Sequence, residues 1–169
     1  MTALGAATAS STDEISAGLE KFAAVSNSVG LSYEYATSAL ATVTATTRQS
    51  ADVVGTAFKT LFARIQDLEL GKTLDDGTTL GKYSQALETV GVSIKTADGG
   101  LREMDDILSD LGEKWNSFDA EGNPLISDDA KVALAQTVAG VRQYTQLIAL
   151  MDNWDFMKEN LETARNATG

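Results

Sequence analysis

The residues able to do chemistry in this chain are carboxylates. Between Asp98 and Asp129 stand ten acids and two bases, Arg102 and Lys114, so a net −8 of the chain's −11 falls in that stretch. One use for such a cluster is calcium, which takes about six to eight oxygens at set intervals. Asp119, Glu121 and Asn123 alternate in that manner, but Gly122 is out of place for an EF-hand loop and Ala130 sits where the bidentate glutamate belongs. A second use is general acid/base work by the pairs Asp105/Asp106 and Asp128/Asp129. Neighbours on a helix point about 100° apart, so such pairs rarely converge on one substrate. Each pair also opens a helix, where negative charge is favoured. Two distant acids in the glycosidase manner remain compatible with the sequence. A solvated acidic face is the better account, and no catalytic, cofactor-binding or metal-binding residue is expected.

What is missing narrows the field further. The chain has no histidine and no cysteine, which removes Ser-His-Asp and Cys-His catalysis, thiolate or imidazole zinc sites, haem ligation and disulfides. With 24 acids against 13 bases, specific nucleic-acid binding is not expected, because phosphate contact depends on a basic face. The glycines form no phosphate-binding pattern. Met1–Ala7 carries no base and no long apolar run, so it does not read as a signal peptide. The charge-free run Tyr35–Thr47 is too short and too rich in threonine to cross a bilayer, and reads as a helix with a small-residue face.

These residues must be positioned by helices, because the apolar spacing is helical almost throughout. Residues 1–11 read as a flexible N-terminal segment and 12–169 as one helical domain. Ser11 and Glu14 form a capping box ahead of Ile15, Leu19, Phe22, Val25 and Val29, and Gly30 suits the stop. Ser32 caps a second helix with Tyr33, Ala36, Leu40 and Val43 inward, and Ser50 opens a third with Val54, Phe58, Leu61, Phe62, Ile65 and Leu68 inward. A glycine-rich loop is expected over 71–81, then a short helix stopped by Gly91. The alternation of Val92-Ser93-Ile94 before Asp98-Gly99-Gly100 predicts a small β-hairpin over about 92–103. Asp105 is expected to cap the next helix, whose face is Met104, Ile107, Leu108, Leu111, Trp115 and Phe118. Ser127 starts another, through Val132, Ala135 and Val138, with a bend near Gly140 and continuation through Leu147, Ile148 and Met151; Trp154, Met157, Leu161 and Ala164 face inward on the last. The expected fold is all-α, a compact bundle of about six to seven helices with one small hairpin. Phe58, Phe62, Ile107, Leu111 and Trp115 belong to its core.

Several stretches in order carry a family likeness. Gly30-Leu31-Ser32 leads to the Ala/Thr-rich helix, and Val54-Gly55-Thr56-Ala57-Phe58-Lys59-Thr60-Leu61 follows Ser50. Tyr83-Ser84-Gln85-Ala86-Leu87 runs into Val90-Gly91-Val92-Ser93-Ile94, the Asp98-Gly99-Gly100 turn and Met104-Asp105-Asp106-Ile107-Leu108. Val132–Tyr144 and Leu147–Asn153 close the set. Over residues 20 to 168 this order resembles the conserved core domain of tail tape measure proteins of bacteriophages and prophages. The positions that carry the likeness most clearly are Gly140, Arg142, Gln143 and Asn153.

The resemblance implies a non-catalytic structural and interaction domain, with no cofactor. Tape measure proteins lie in the lumen of the tail tube while tube subunits polymerise around them, set tail length, and leave ahead of the DNA at ejection. The implied partners are phage tail proteins (tail tube, chaperones, tail tip) and further copies of the chain itself. The implied location is the virion, in the tail tube lumen, after synthesis in the host cytoplasm. A fully helical chain of 169 residues spans about 250 Å, so a segment of a longer protein is expected rather than the ruler itself. The loop 71–81 and the acidic stretch 98–129 are the candidate contact surfaces. An unrelated acidic helical module that binds a protein partner is the alternative. A cell-wall hydrolase module is disfavoured by the missing histidine and cysteine.

Overall fold

Helix signals in the sequence resolve into eight helices in the computed structural model, which describes residues 12–168. They are α1 (Thr12–Ser28), α2 (Tyr33–Thr47), α3 (Ala51–Glu69), α4 (Leu80–Glu88), α5 (Met104–Trp115), α6 (Asp128–Ala139), α7 (Tyr144–Asp152) and α8 (Trp154–Thr168). The N-terminal segment 1–11, with Ser11 of the expected capping box, lies outside the described residues. The helix count exceeds the expected six to seven because residues 128–152 do not form one bent helix. Gly140 takes φ 87° and ψ 162°, a combination that only glycine adopts without strain, and it ends α6 outright. Ser32, Ser50, Thr79 and Ser127 each accept a first-turn backbone N–H and so start α2, α3, α4 and α6. Asp105 does not cap α5. The capping position is Glu103, whose side chain makes no capping bond, and Asp105 lies inside the first turn.

The centre of the fold is α2, which packs against α1, α3, α7 and α8. Every residue from Tyr35 to Thr44 is buried. Hydroxyls survive there because each bonds to the helix itself. Thr37, Ser38 and Thr42 donate to the carbonyls of Tyr33, Glu34 and Ser38 at 2.7–2.8 Å. The inward aromatic at the start of this helix is Tyr35, not Tyr33, which is 52% exposed. The Tyr35 hydroxyl reaches Ser109 on α5 at 3.0 Å, and burial pushes its pKa well above the ordinary phenol value.

Against this hub α1 and α3 cross at very close range. A Cβ on Gly55 would stand 2.3 Å from the Gly18 carbonyl oxygen, and one on Gly18 would stand 2.5 Å from the Ala51 carbonyl oxygen. Beside the crossing, Phe22, Phe58 and Phe62 cluster with ring centroids 5.4 to 6.2 Å apart. Phe58, Phe62, Ile107, Leu111 and Trp115 are all buried. The Trp115 indole N–H donates to Asp152 at 2.8 Å, and Gly112 makes room for the Trp154 ring of α8.

The hairpin expected over 92–103 is a single antiparallel bridge, Lys95 with Leu101, flanked by bonds from Thr96 N–H to the Gly100 carbonyl and from Arg102 N–H to the Ile94 carbonyl. Val92 and Ile94 are buried, but the turn follows too soon for a ladder to form. A second bridge, Phe118 with Pro124, closes the loop before α6. This loop carries Phe118 off the α5 face to 65% exposure. Likewise Val132 points outward and Leu134 takes the core position on α6.

Candidate functional site

Two stretches singled out in the sequence, the loop 71–81 and the turn at Gly140, meet in space. With the outer face of α3 they form the walls of an open groove of about 770 Å3. Thr56, Lys59, Thr60 and Ala63 line it from α3, Lys72 to Asp76 from the loop, and Ala139 to Gln143 from the turn.

Arg64 holds the three walls together. Its Nη1 lies 2.9 Å from an Asp76 carboxylate oxygen, and its Nη2 donates at 3.0 Å both to the Thr78 hydroxyl and to the Thr137 carbonyl near the end of α6. Its Nε is buried without a hydrogen-bond partner, so the guanidinium fork rather than full satisfaction fixes the side chain. Asp76 in turn accepts the Thr78 N–H at 3.0 Å, and that bond, the Thr78 hydroxyl and Arg64 together hold its carboxyl below the usual range. A Cβ on Gly140 would meet the Arg64 guanidinium at 3.5 Å, an ordinary contact, so φ and not space demands glycine there.

Charge in the groove differs from the rest of the molecule. Lys59, Arg64, Lys72 and Arg142 face Asp67, Asp75 and Asp76, a small positive balance on a chain of net −11. Lys72 is paired with Asp67 at 3.3 Å, whereas among the described residues Lys59 and Arg142 form no ion pair. Arg142 and Val141 are exposed, Val141 by 71%. The hydroxyls of Thr56 and Thr60 are spent on the carbonyls of Asp52 and Thr56. The arrangement offers exposed cations and an apolar side chain for contact, and no nucleophile beside a base.

The remaining sequence candidates divide between this groove and other parts of the fold. Gln143 lines it from the position before α7 and makes no capping bond. Asn153 does not line it; its side-chain amide donates to the Ala149 carbonyl at 2.7 Å and ends α7. The Asp119 carboxylate is taken up by the N–H groups of Glu121 and Asn123 at 3.0 and 2.9 Å. Among the described residues no three carboxylates stand where they would hold a metal ion, and no helix is long and apolar enough to cross a membrane. Sequence reasoning missed Arg64, because nothing local marks an arginine on α3 as the partner of residues 12 and 73 positions away.

A family model described as phage-related minor tail protein matches residues 1–128, which is 128 of the 169 residues. The chain belongs to the phage-related minor tail protein family. No solved structure matches it. Membership in this minor tail family gives a structural role in the phage tail, association with the virion, and other tail proteins as partners. The matched span carries α1 to α5 and the groove walls from α3 and the loop, and it ends at the first residue of α6. Gly140, Arg142, Gln143 and Asn153 lie beyond it.

Proposed function

We propose that this minor tail chain is a non-catalytic interaction domain of a tail tape measure protein, the component that sets tail length, scaffolds tube assembly and leaves at DNA ejection. The family match over residues 1–128 carries the reading, and the ordered likeness from Gly30 to Asn153 refines it toward the tape measure type. The geometry supports a domain that contacts rather than one that measures. The eight helices pack on one another, four of them against α2, instead of extending end to end, which favours a domain of a protein whose length is set elsewhere. On this reading the groove over Arg64 is the surface for a tail-tube, chaperone or tail-tip protein, and the domain resides in the tube lumen.

An in-frame deletion of this domain from the parent gene tests the proposal. Loss of tails, or tails that fail to eject DNA, is expected when particles are counted by electron microscopy and plated on the host. Normal tails with normal infectivity would overturn it.

A further inference from the structure

The groove over Arg64 carries both signs of charge, and the two are unequally committed. Asp76 is taken by Arg64 at 2.9 Å and by the Thr78 N–H at 3.0 Å, and Asp67 by Lys72 at 3.3 Å. Asp75 is the one lining carboxylate that forms no ion pair among the described residues. Two lining cations share that condition, Lys59 on the α3 wall and Arg142 on the Gly140 turn, and both are exposed. Val141, next to Arg142 in the chain and 71% exposed, offers an apolar contact. At the same turn the N–H groups of Val141, Arg142 and Gln143 have no acceptor among the described residues. A carboxylate arriving there meets donors as well as cations.

The walls are set before a partner arrives. Arg64 ties Thr78 of the loop to the Thr137 carbonyl of α6, with both bonds at 3.0 Å. The loop is closed on itself by bonds from Lys72 N–H to the Asp67 carbonyl and from Leu74 N–H to the Thr78 carbonyl, at 3.0 and 2.9 Å. A groove already ordered loses little affinity to ordering on contact. Charge then narrows the occupant. On a chain of net −11, an acidic partner is repelled by most of the surface and accepted where cations stand free. A nucleic-acid strand suits the groove poorly. No aromatic side chain lines it for base stacking, and three carboxylates interrupt any track of cations for a phosphate backbone.

We propose that the groove takes a short acidic segment of another tail protein, with carboxylates on Lys59 and Arg142 and an apolar side chain against Val141. This rests on the reading of the groove as a contact surface and names the chemistry of the segment it receives.

The probe is a short synthetic peptide, glutamate, leucine and glutamate at its centre, titrated into the isotope-labelled full chain and followed by amide chemical shifts. Controls are the peptide with glutamine for both glutamates, the peptide with lysine for both, and a single-stranded oligothymidylate. Shifts centred on residues 56–60 and 139–143 are expected, with every control at least about tenfold weaker. Lys59→Gln combined with Arg142→Gln should weaken the glutamate peptide about tenfold, and Val141→Ser about threefold. All three sites are exposed, so these variants keep the fold. Equal binding of the glutamine peptide would overturn the acidic partner while leaving the groove as a contact surface. Shifts centred on other residues would remove the groove as well. Tighter binding of the oligothymidylate, or a self-associated chain that the Lys59→Gln and Arg142→Gln pair makes monomeric, would give the groove to a different occupant and overturn the proposal.

Discussion

The Asp105 carboxylate, in the first turn of α5, accepts the backbone N–H of Ser32, the residue that caps α2, at 3.1 and 3.3 Å. Ser32 meanwhile accepts the Tyr35 N–H on its own hydroxyl. Two more bonds tie the same corner, from Met104 N–H to the Val29 carbonyl and from Asp105 N–H to the Gly30 carbonyl. One residue of α5 thus completes the start of a helix 73 positions earlier in the chain. Asp105→Ala leaves that N–H without its partner and should cost about 1–3 kcal/mol in urea unfolding.

Asp105 and Asp76 should respond to pH in opposite directions. Burial raises the Asp105 pKa more than the Ser32 hydroxyl and N–H lower it. Its contribution to stability is therefore fully present below the ordinary carboxylate pKa and declines as pH rises through the raised folded value. Asp76 is held low, so its contribution is present above the ordinary value and is lost as pH falls through the lowered one. Measured across the acid range, Asp105→Asn should gain on the parent as pH rises. Asp76→Asn should lose ground to it over the same range.

Glycine replacements should divide by what a methyl group would meet. Gly55→Ala forces α1 and α3 apart at a backbone contact and should destabilise by about 1–3 kcal/mol or more. Gly81→Ala in α4 meets nothing closer than 3.8 Å and should stabilise by about 0.4–1 kcal/mol. Thermal or chemical denaturation of the two variants reads the opposite signs.

Inside the α2–α8 contact, the buried Asn160 amide donates to the Thr42 hydroxyl at 3.0 Å. Thr42→Val strands that amide and should cost about 1–3 kcal/mol. Thr42→Val combined with Asn160→Leu should cost less than the sum of the single changes, and a double-mutant cycle measures the difference.

Arg64→Lys keeps the charge but loses the fork that reaches Asp76, Thr78 and Thr137 together. Amide exchange in residues 72–79 and 139–143 should quicken while exchange in the phenylalanine cluster of α1 and α3 stays slow. Unchanged exchange in the loop would remove Arg64 from its clasping role.

Where one helix face carries large apolar side chains, the sequence is readable. The α3 set Val54, Phe58, Leu61, Phe62, Ile65 and Leu68 is buried throughout, and so is the α5 set from Met104 to Trp115. The central place of α2 was not legible. Threonine, serine and alanine suit either a wet face or a tight interior, and only the neighbours decide. The same limit exchanged Tyr33 with Tyr35 and put Phe118 on a face that ends at Trp115. In the groove, the loop and the Gly140 turn were each visible as breaks in helical spacing. Their meeting depends on Arg64, a tertiary contact with no local signal. The likeness to phage tail proteins rested on an ordered set of stretches, of which those before Asp128 fall within the family match.

The most direct test is an immunoblot of purified phage tails with antibody raised against this domain. A tail-associated band far above the 17.8 kDa of this chain is expected. Signal confined to the cell lysate, with none in the tails, would contradict it.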